Sequence, residues 1–142
     1  MPFLSLKLSA PESAETTTRV AAALLDLTVE VLKKKRELTA IAIEYVAPHT
    51  WFIGGTALKP ESDAAVYLDI KVTEGTNTKD QKKDFIAQVT VALGAILGKI
   101  QPTSYVVMQE LRGDAWGYQG VTQEARYVLD SAIVPKTEAI AR

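Results

Sequence analysis

The feature that most constrains this chain is that it repeats itself. Leu68-Asp69-Ile70-Lys71-Val72 matches Leu4-Ser5-Leu6-Lys7-Leu8 at an offset of 64 residues. Phe85, Val89, Ala92 and Ile96 then lie 65 residues after Val20, Leu24, Leu27 and Val31, and Trp116 and Gly120 lie 65 after Trp51 and Gly55. The one-residue change in offset places a single insertion in the second strand-to-helix loop. In each copy the first stretch alternates apolar and polar residues, the period of a strand with one buried face, and the next recurs at helical spacing. A third stretch, residues 40–46 and then 104–110, has the composition of a strand. Two β-α-β units in tandem predict an α+β fold, β-α-β-β-α-β, with a four-stranded sheet and two helices on one face.

The whole of 1–142 reads as a single domain. Repeat one covers about 2–58, repeat two about 66–120, and the extension 121–142 has no counterpart. A short helix is expected over 122–131, and Pro135 interrupts the remainder of the extension. Ser9-Ala10-Pro11-Glu12 carries helix-start chemistry for a first helix running from about 14 to 35, which Lys33-Lys34-Lys35-Arg36 closes, cations being favourable at a helix C-terminus. Thr78-Lys79-Asp80-Gln81 is a capping-box sequence for the second helix. Residues 48–55 read as a hairpin and 59–63 as a linker. Leu4, Leu6, Leu8, Leu68, Ile70 and Val72 are expected to give the sheet a second, apolar face that self-association would cover.

Composition excludes several classes. The net charge of −1 leaves no electrostatic footprint for nucleic acid or an anionic membrane. No apolar run approaches the ~18 residues of a membrane span. With no cysteine and one histidine, His49, thiol chemistry is absent and a histidine-built metal site is disfavoured. A cytoplasmic protein without metal or cofactor is the expectation.

Pro2 is the residue that carries chemistry. Proline has no N–H to donate and is tolerated at the first position of a strand. Once Met1 is removed, its nitrogen is a secondary amine. An α-amino group titrates near ~7.7–8.0, and burial disfavours its charged form. A strand that begins inside a pocket therefore presents a neutral amine, which is a general base. The competing reading is an incidental proline at a frayed terminus.

Pro2 opening a strand, the duplicated β-α-β unit and a glycine-containing hairpin after each second strand together resemble the tautomerase superfamily. Residues 70–75 and 109–118 look like a 4-oxalocrotonate tautomerase unit, and Trp51-Phe52-Ile53-Gly54-Gly55 repeats its ending. With both units in one chain, the layout is most similar to macrophage migration inhibitory factor and fused bacterial tautomerases. The resemblance covers about 2–120. It implies a homotrimer whose sheets form a barrel, with a site at each subunit boundary. It also implies that Pro2 is the base, that Lys34 after the first helix meets anionic charge, and that a backbone N–H at Val72 borders the pocket. Tyr105 would come from the neighbouring subunit, as would Trp116 and Tyr118, the aromatic wall. Lys33 and Lys35 compete with Lys34 for register, and Arg112 is the reserve cation.

Departures from the family pattern bear on the substrate. Glu12 and Ala40, then Thr76 and Tyr105, stand where 4-oxalocrotonate tautomerase would have carboxylate-binding arginines. Val107 replaces an asparagine of the migration inhibitory factors. Val66 takes the place of Pro2 in the second unit and, being internal, has no free amine, so one site per chain is expected. The implied reaction is keto–enol tautomerisation of a small α-keto acid of the arylpyruvate kind, without cofactor. The alternative is a catalytically idle member that binds a ligand or protein partner.

Overall fold

A computed structural model describes residues 1–130. Strand β1 (Phe3–Leu8) leads into helix α1 (Ala14–Glu30) and strand β2 (Ala40–Tyr45), and then into a hairpin of β3 (Phe52–Ile53) and β4 (Thr56–Ala57). Strand β5 (Val66–Thr73), helix α2 (Lys79–Leu97) and strand β6 (Tyr105–Leu111) repeat the plan and end in a second hairpin, β7 (Gly117–Tyr118) and β8 (Val121–Thr122). Helix α3 (Gln123–Asp130) closes the described chain; it begins and ends within a residue of the helix expected over 122–131, while Pro135 lies outside the described residues. The main sheet has the order β2-β1-β5-β6. β1 and β2 are parallel, as are β5 and β6, and the two units meet through the antiparallel pair β1–β5. This is the expected α+β arrangement of two β-α-β units.

The core lies between sheet and helices. Leu4, Leu6 and Leu8 from β1 and Leu68, Ile70 and Val72 from β5 pack against Val20 and Leu24 of α1 and Phe85, Val89 and Leu93 of α2. These six strand residues therefore do not form a second apolar face, contrary to the expectation from their alternation. A strand with one alternating set of apolar residues can supply only one apolar face, and the helices take it. The outward face is mixed: Phe3 and Tyr67 are exposed beside half-buried Ser5, Asp69, Lys71 and Gln109. Gln109 donates to Asp69, whose carboxylate also meets the Lys71 ammonium at 3.6 Å.

Helix boundaries are set by local hydrogen bonding. The first cap is Ser13, not the Ser9 region: its Oγ accepts the Thr16 N–H at 3.0 Å. Ser9 instead ties β1 to the start of β5, with its Oγ accepting the Ala65 N–H. The Thr78–Gln81 capping box forms as expected, with bonds of 3.1 and 3.0 Å. α1 ends at Glu30, before the basic run, because Lys33 adopts a left-handed conformation (φ 59°) and the Lys34 N–H returns to the Thr28 carbonyl at 3.3 Å. That is the chain reversal of a Schellman ending with lysine in the usual place of glycine. The third fully buried turn of the helices is Thr28 and Leu93, still 65 apart, where the sequence pattern pointed to Leu27 and Ala92. Thr28 is accommodated because its hydroxyl donates to the Leu24 carbonyl at 2.7 Å.

Each hairpin turns on two residues of positive φ, Gly54-Gly55 and Gln119-Gly120. These are the primed two-residue turns whose twist suits antiparallel strands. Among the described residues no helix is long and apolar enough to cross a membrane.

Phe85 is fully buried at the sheet–helix junction. Phe85→Ala is expected to cost about 3–5 kcal/mol of unfolding free energy, against about 1 kcal/mol for loss of the α2 cap in Thr78→Ala. Urea denaturation of both variants checks the order; equal losses would remove Phe85 from the centre of the core.

Candidate active site

The pairing of β1 with β5 positions the N-terminus. Phe3 lies opposite Lys71 and Leu4 opposite Ile70, so the same register sets Pro2 opposite Val72 and Met1 opposite Thr73. Pro2 is buried, and its carbonyl accepts the Ala40 N–H at 3.3 Å. The residue is thus held on both sides, by β2 through a hydrogen bond and by β5 through register. Val72 is itself buried with its side chain in the core, so only its backbone can border a cavity.

Lys34 reaches the same place from the other direction. The reversal after α1 carries it across to the β5–α2 loop, where its ammonium donates to Thr76 Oγ1 at 2.8 Å. Thr76 is in turn anchored by donating to the Thr73 carbonyl at 2.6 Å. Lys34 is half-buried while Lys33 and Lys35 are exposed. Since the helix has already ended, the three lysines are not fanned around a continuing α-helix; one turns inward because the backbone at Lys33 reverses.

Burial lowers the Lys34 pKa from its ordinary value, an effect that Glu110 partly offsets. The N-terminal amine is also pushed down, first by burial and then by the positive charges of Lys34 and Lys35. Lys35 therefore acts on the amine although it is exposed.

Trp116 and Tyr118 stand at this end of their own chain's sheet. The Trp116 indole N–H donates to Thr73 Oγ1 at 3.2 Å. Tyr118 shares a cavity of about 260 Å³ with Met1 and Lys34. Tyr105 is elsewhere. It begins β6 opposite Tyr67, four positions along β5 from Lys71, which is level with Phe3. That distance is roughly 13 Å along the strand, so Tyr105 does not reach the Pro2 of its own chain. Arg112, the reserve cation, is spent on a bidentate pair with Asp114 at 3.0 Å for each bond, in an exposed loop. Glu110 is held below the usual carboxylate range by its hydrogen bond from Lys82, and His49 is exposed.

Sequence reasoning missed a third group, on α3. Gln123, Arg126 and Tyr127 line the cavity that holds Met1 and Lys34. A second cavity, of about 470 Å³, is bounded by Thr73 and Thr76 and again by Met1, Gln123 and Tyr127. The Arg126 guanidinium lies over the Tyr118 ring at 3.8 Å and donates to the Tyr118 carbonyl at 2.7 Å. Gln123, Arg126 and Tyr127 are spaced i, i+3, i+4 and so share one helix face. That spacing was the available signal, but with no repeat partner there was nothing to align it to. Among the described residues no group of three His, Cys, Asp or Glu side chains could hold a metal ion.

Comparison with known proteins agrees with this layout. A protein-family model described as tautomerase enzyme matches residues 2–60 and again 67–126, once for each repeat. The probable tautomerase K2 of Dickeya dadantii (strain 3937) is 39% identical over 54 residues, 38% of this chain and 81% of that protein. Among solved structures, a wild-type fused 4-OT described as a symmetric trimer superimposes with a TM-score of 0.78 at 18% identity, covering 87% of this chain and 98% of that one. A macrophage migration inhibitory factor-like protein from Entamoeba histolytica gives a TM-score of 0.70 at 21% identity, covering 85% and 97%. With both repeats matched by the family model, the chain belongs to the tautomerase family.

Proposed function

We propose that the protein is a cofactor-independent tautomerase that interconverts the keto and enol forms of a small α-keto acid, with the Pro2 nitrogen as general base. The observation that carries this reading is a buried Pro2 behind a half-buried Met1, whose amine is depressed by burial and by Lys34 and Lys35 at the edge of two cavities. Removal of Met1 transfers the free amine to Pro2, which is closer still to the core. The nitrogen then takes a proton from the carbon beside the keto group, leaving an enolate, and delivers it to the enolate oxygen; the reverse path runs from enol to ketone. Lys34 offsets the charge that develops on oxygen, together with the Val72 N–H. Trp116 and Tyr118 bound the apolar end and limit water.

The reading includes a homotrimer with sites at subunit boundaries. It is supported by the trimeric fused relative and by exposed aromatics on the outward side, Phe3, Tyr67, Tyr105 and, on the first hairpin, Phe52, which is 62% exposed. A neighbour would bring Tyr105 to a site that its own chain cannot give it to. A second reading has one observation in its favour. Met1 lines both cavities, and while it is attached the Pro2 nitrogen is an amide without basicity. A chain that keeps Met1 would be a binding module.

Intact mass is expected to show loss of Met1, and Pro2→Ala is expected to lower kcat for phenylpyruvate enol–keto exchange by about 10²–10⁴-fold. Retained methionine, or an unchanged rate in the variant, would favour the binding module. Light scattering at micromolar concentration is expected to give the mass of a trimer, and a monodisperse monomer or dimer would refute the boundary sites.

The pH profile checks the electrostatics. A base must be unprotonated, so kcat/KM of the free enzyme should fall as pH drops through the amine pKa. Lys34→Ala removes a cation that opposes protonation, so the amine pKa rises and this limb moves to higher pH. Lys35→Ala should move it in the same direction and by less, and Lys33→Ala should leave it in place. A limb that ignores Lys34 would detach that residue from the base.

A further inference from the structure

We infer that helix α3 supplies the carboxylate-binding subsite, with Arg126 and Gln123 facing Lys34 across the cavity beside the N-terminus. The inference rests on the tautomerase reading for its substrate but on separate observations for its residues. The Arg126 Nε and the Gln123 Nε2 are buried, and among the described residues neither has a hydrogen-bond partner. Buried donors are normally paired, so two orphans on one helix face, both on residues lining the same cavity, mark a place where an acceptor is missing. Two further features say what that acceptor is. Among the described residues, the ion pairs engage Arg36, Lys71, Lys82 and Arg112, and neither Lys34 nor Arg126 is in one. The cavity wall also carries Lys33 and Lys35, with Asp130 as its one acidic residue among those described. An anion is therefore attracted, and a small planar one with two acceptor oxygens suits a guanidinium edge beside an amide N–H₂.

Arg126 is also held in position for this role. Its stacking on the Tyr118 ring and its bond to the Tyr118 carbonyl fix the plane of the guanidinium. Little binding entropy then remains to be lost when a carboxylate docks. α3 offers a cation at the same cavity from an element outside the repeat.

The test uses the full chain after removal of Met1, with two readouts. Phenylacetate, a carboxylate with no proton to exchange between keto and enol forms, is titrated by NMR into wild type and Arg126→Gln. Phenylpyruvate turnover is measured on both in parallel. Loss of one charge-assisted hydrogen bond corresponds to about 10–150-fold. The expected result is a Kd for phenylacetate weakened by that order, with a matching rise in KM for phenylpyruvate and little change in kcat. Arg126→Lys should recover part of the affinity, and phenylacetamide, which is neutral, should bind both proteins alike.

Phenylacetate binding that is unchanged in Arg126→Gln, or absent from wild type, overturns the inference. If it is unchanged while phenylpyruvate is turned over, the tautomerase reading stands and only the subsite falls. If phenylacetate binds through Arg126 but no keto acid is turned over, the subsite stands and the proposed reaction falls. No residue of α3 is buried, so the substitution has little core to disturb; should it unfold the chain, Gln123→Leu makes the same distinction by removing the second orphan donor.

Discussion

The antiparallel pairing of β1 with β5 is the contact on which the rest depends. It joins two units that are each only half a sheet, and it does so in the middle, so that the six buried residues of these strands make one continuous floor under both helices. A β-α-β unit alone would leave its first strand with an open edge and its helix packed on two strands. The same pairing runs the start of β1 alongside the end of β5. Pro2 consequently lies at the junction of the first unit's strand ends, the β5–α2 loop and the second hairpin, where Lys34, Thr76 and Trp116 arrive from three different elements. A terminal residue is usually frayed. This one is buried because its neighbours on both sides are sheet strands.

The electrostatics of that junction come from burial first and charge second. The amine is depressed chiefly by desolvation, and the lysines add to it. Lys34 is caught in the same way, half-buried and given a hydroxyl oxygen instead of a carboxylate as its partner. A carboxylate there would have offset the positive field that Lys34 sets at the amine. Two acids nearby are paired with other cations, Glu110 with Lys82 and Asp114 with Arg112, although Glu110 still acts on Lys34.

Much of the fold was legible because the repeat doubles every signal. A strand seen once is ambiguous, whereas Leu4-Ser5-Leu6-Lys7-Leu8 and its copy 64 residues on carry the same alternation and the same fold position. Misreadings arose where the pattern does not encode direction or backbone angle. Alternation in β1 and β5 says that one face is apolar, but not that it is the one the helices cover. The helical stripe hid Thr28, a polar residue that satisfies itself against its own helix. The ending of α1 depended on Lys33 in a conformation that lysine seldom adopts. At the site, Pro2, Lys34 and Val72 could be matched to positions in a family pattern. Arg126 and Gln123 could not, since α3 has no copy in the chain, and their orphaned donors become visible only once Tyr118 and the N-terminus are placed beside them.

Duplication within one polypeptide has its own consequence. Were the two units separate identical chains, any substitution would appear on both sides of the β1–β5 axis at once. Here a change falls on one side and leaves its counterpart alone. The pairs Thr28 and Leu93, or Pro2 and Val66, display that freedom. One half can add an apolar residue to the core while the other keeps a hydroxyl or a proline at the matching position. The mixed ownership of the two cavities is a result: a terminus and a lysine from the first half, a threonine loop and an aromatic hairpin from the second. The molecule is symmetric in its scaffold and asymmetric in its chemistry, with the division drawn along the chain itself.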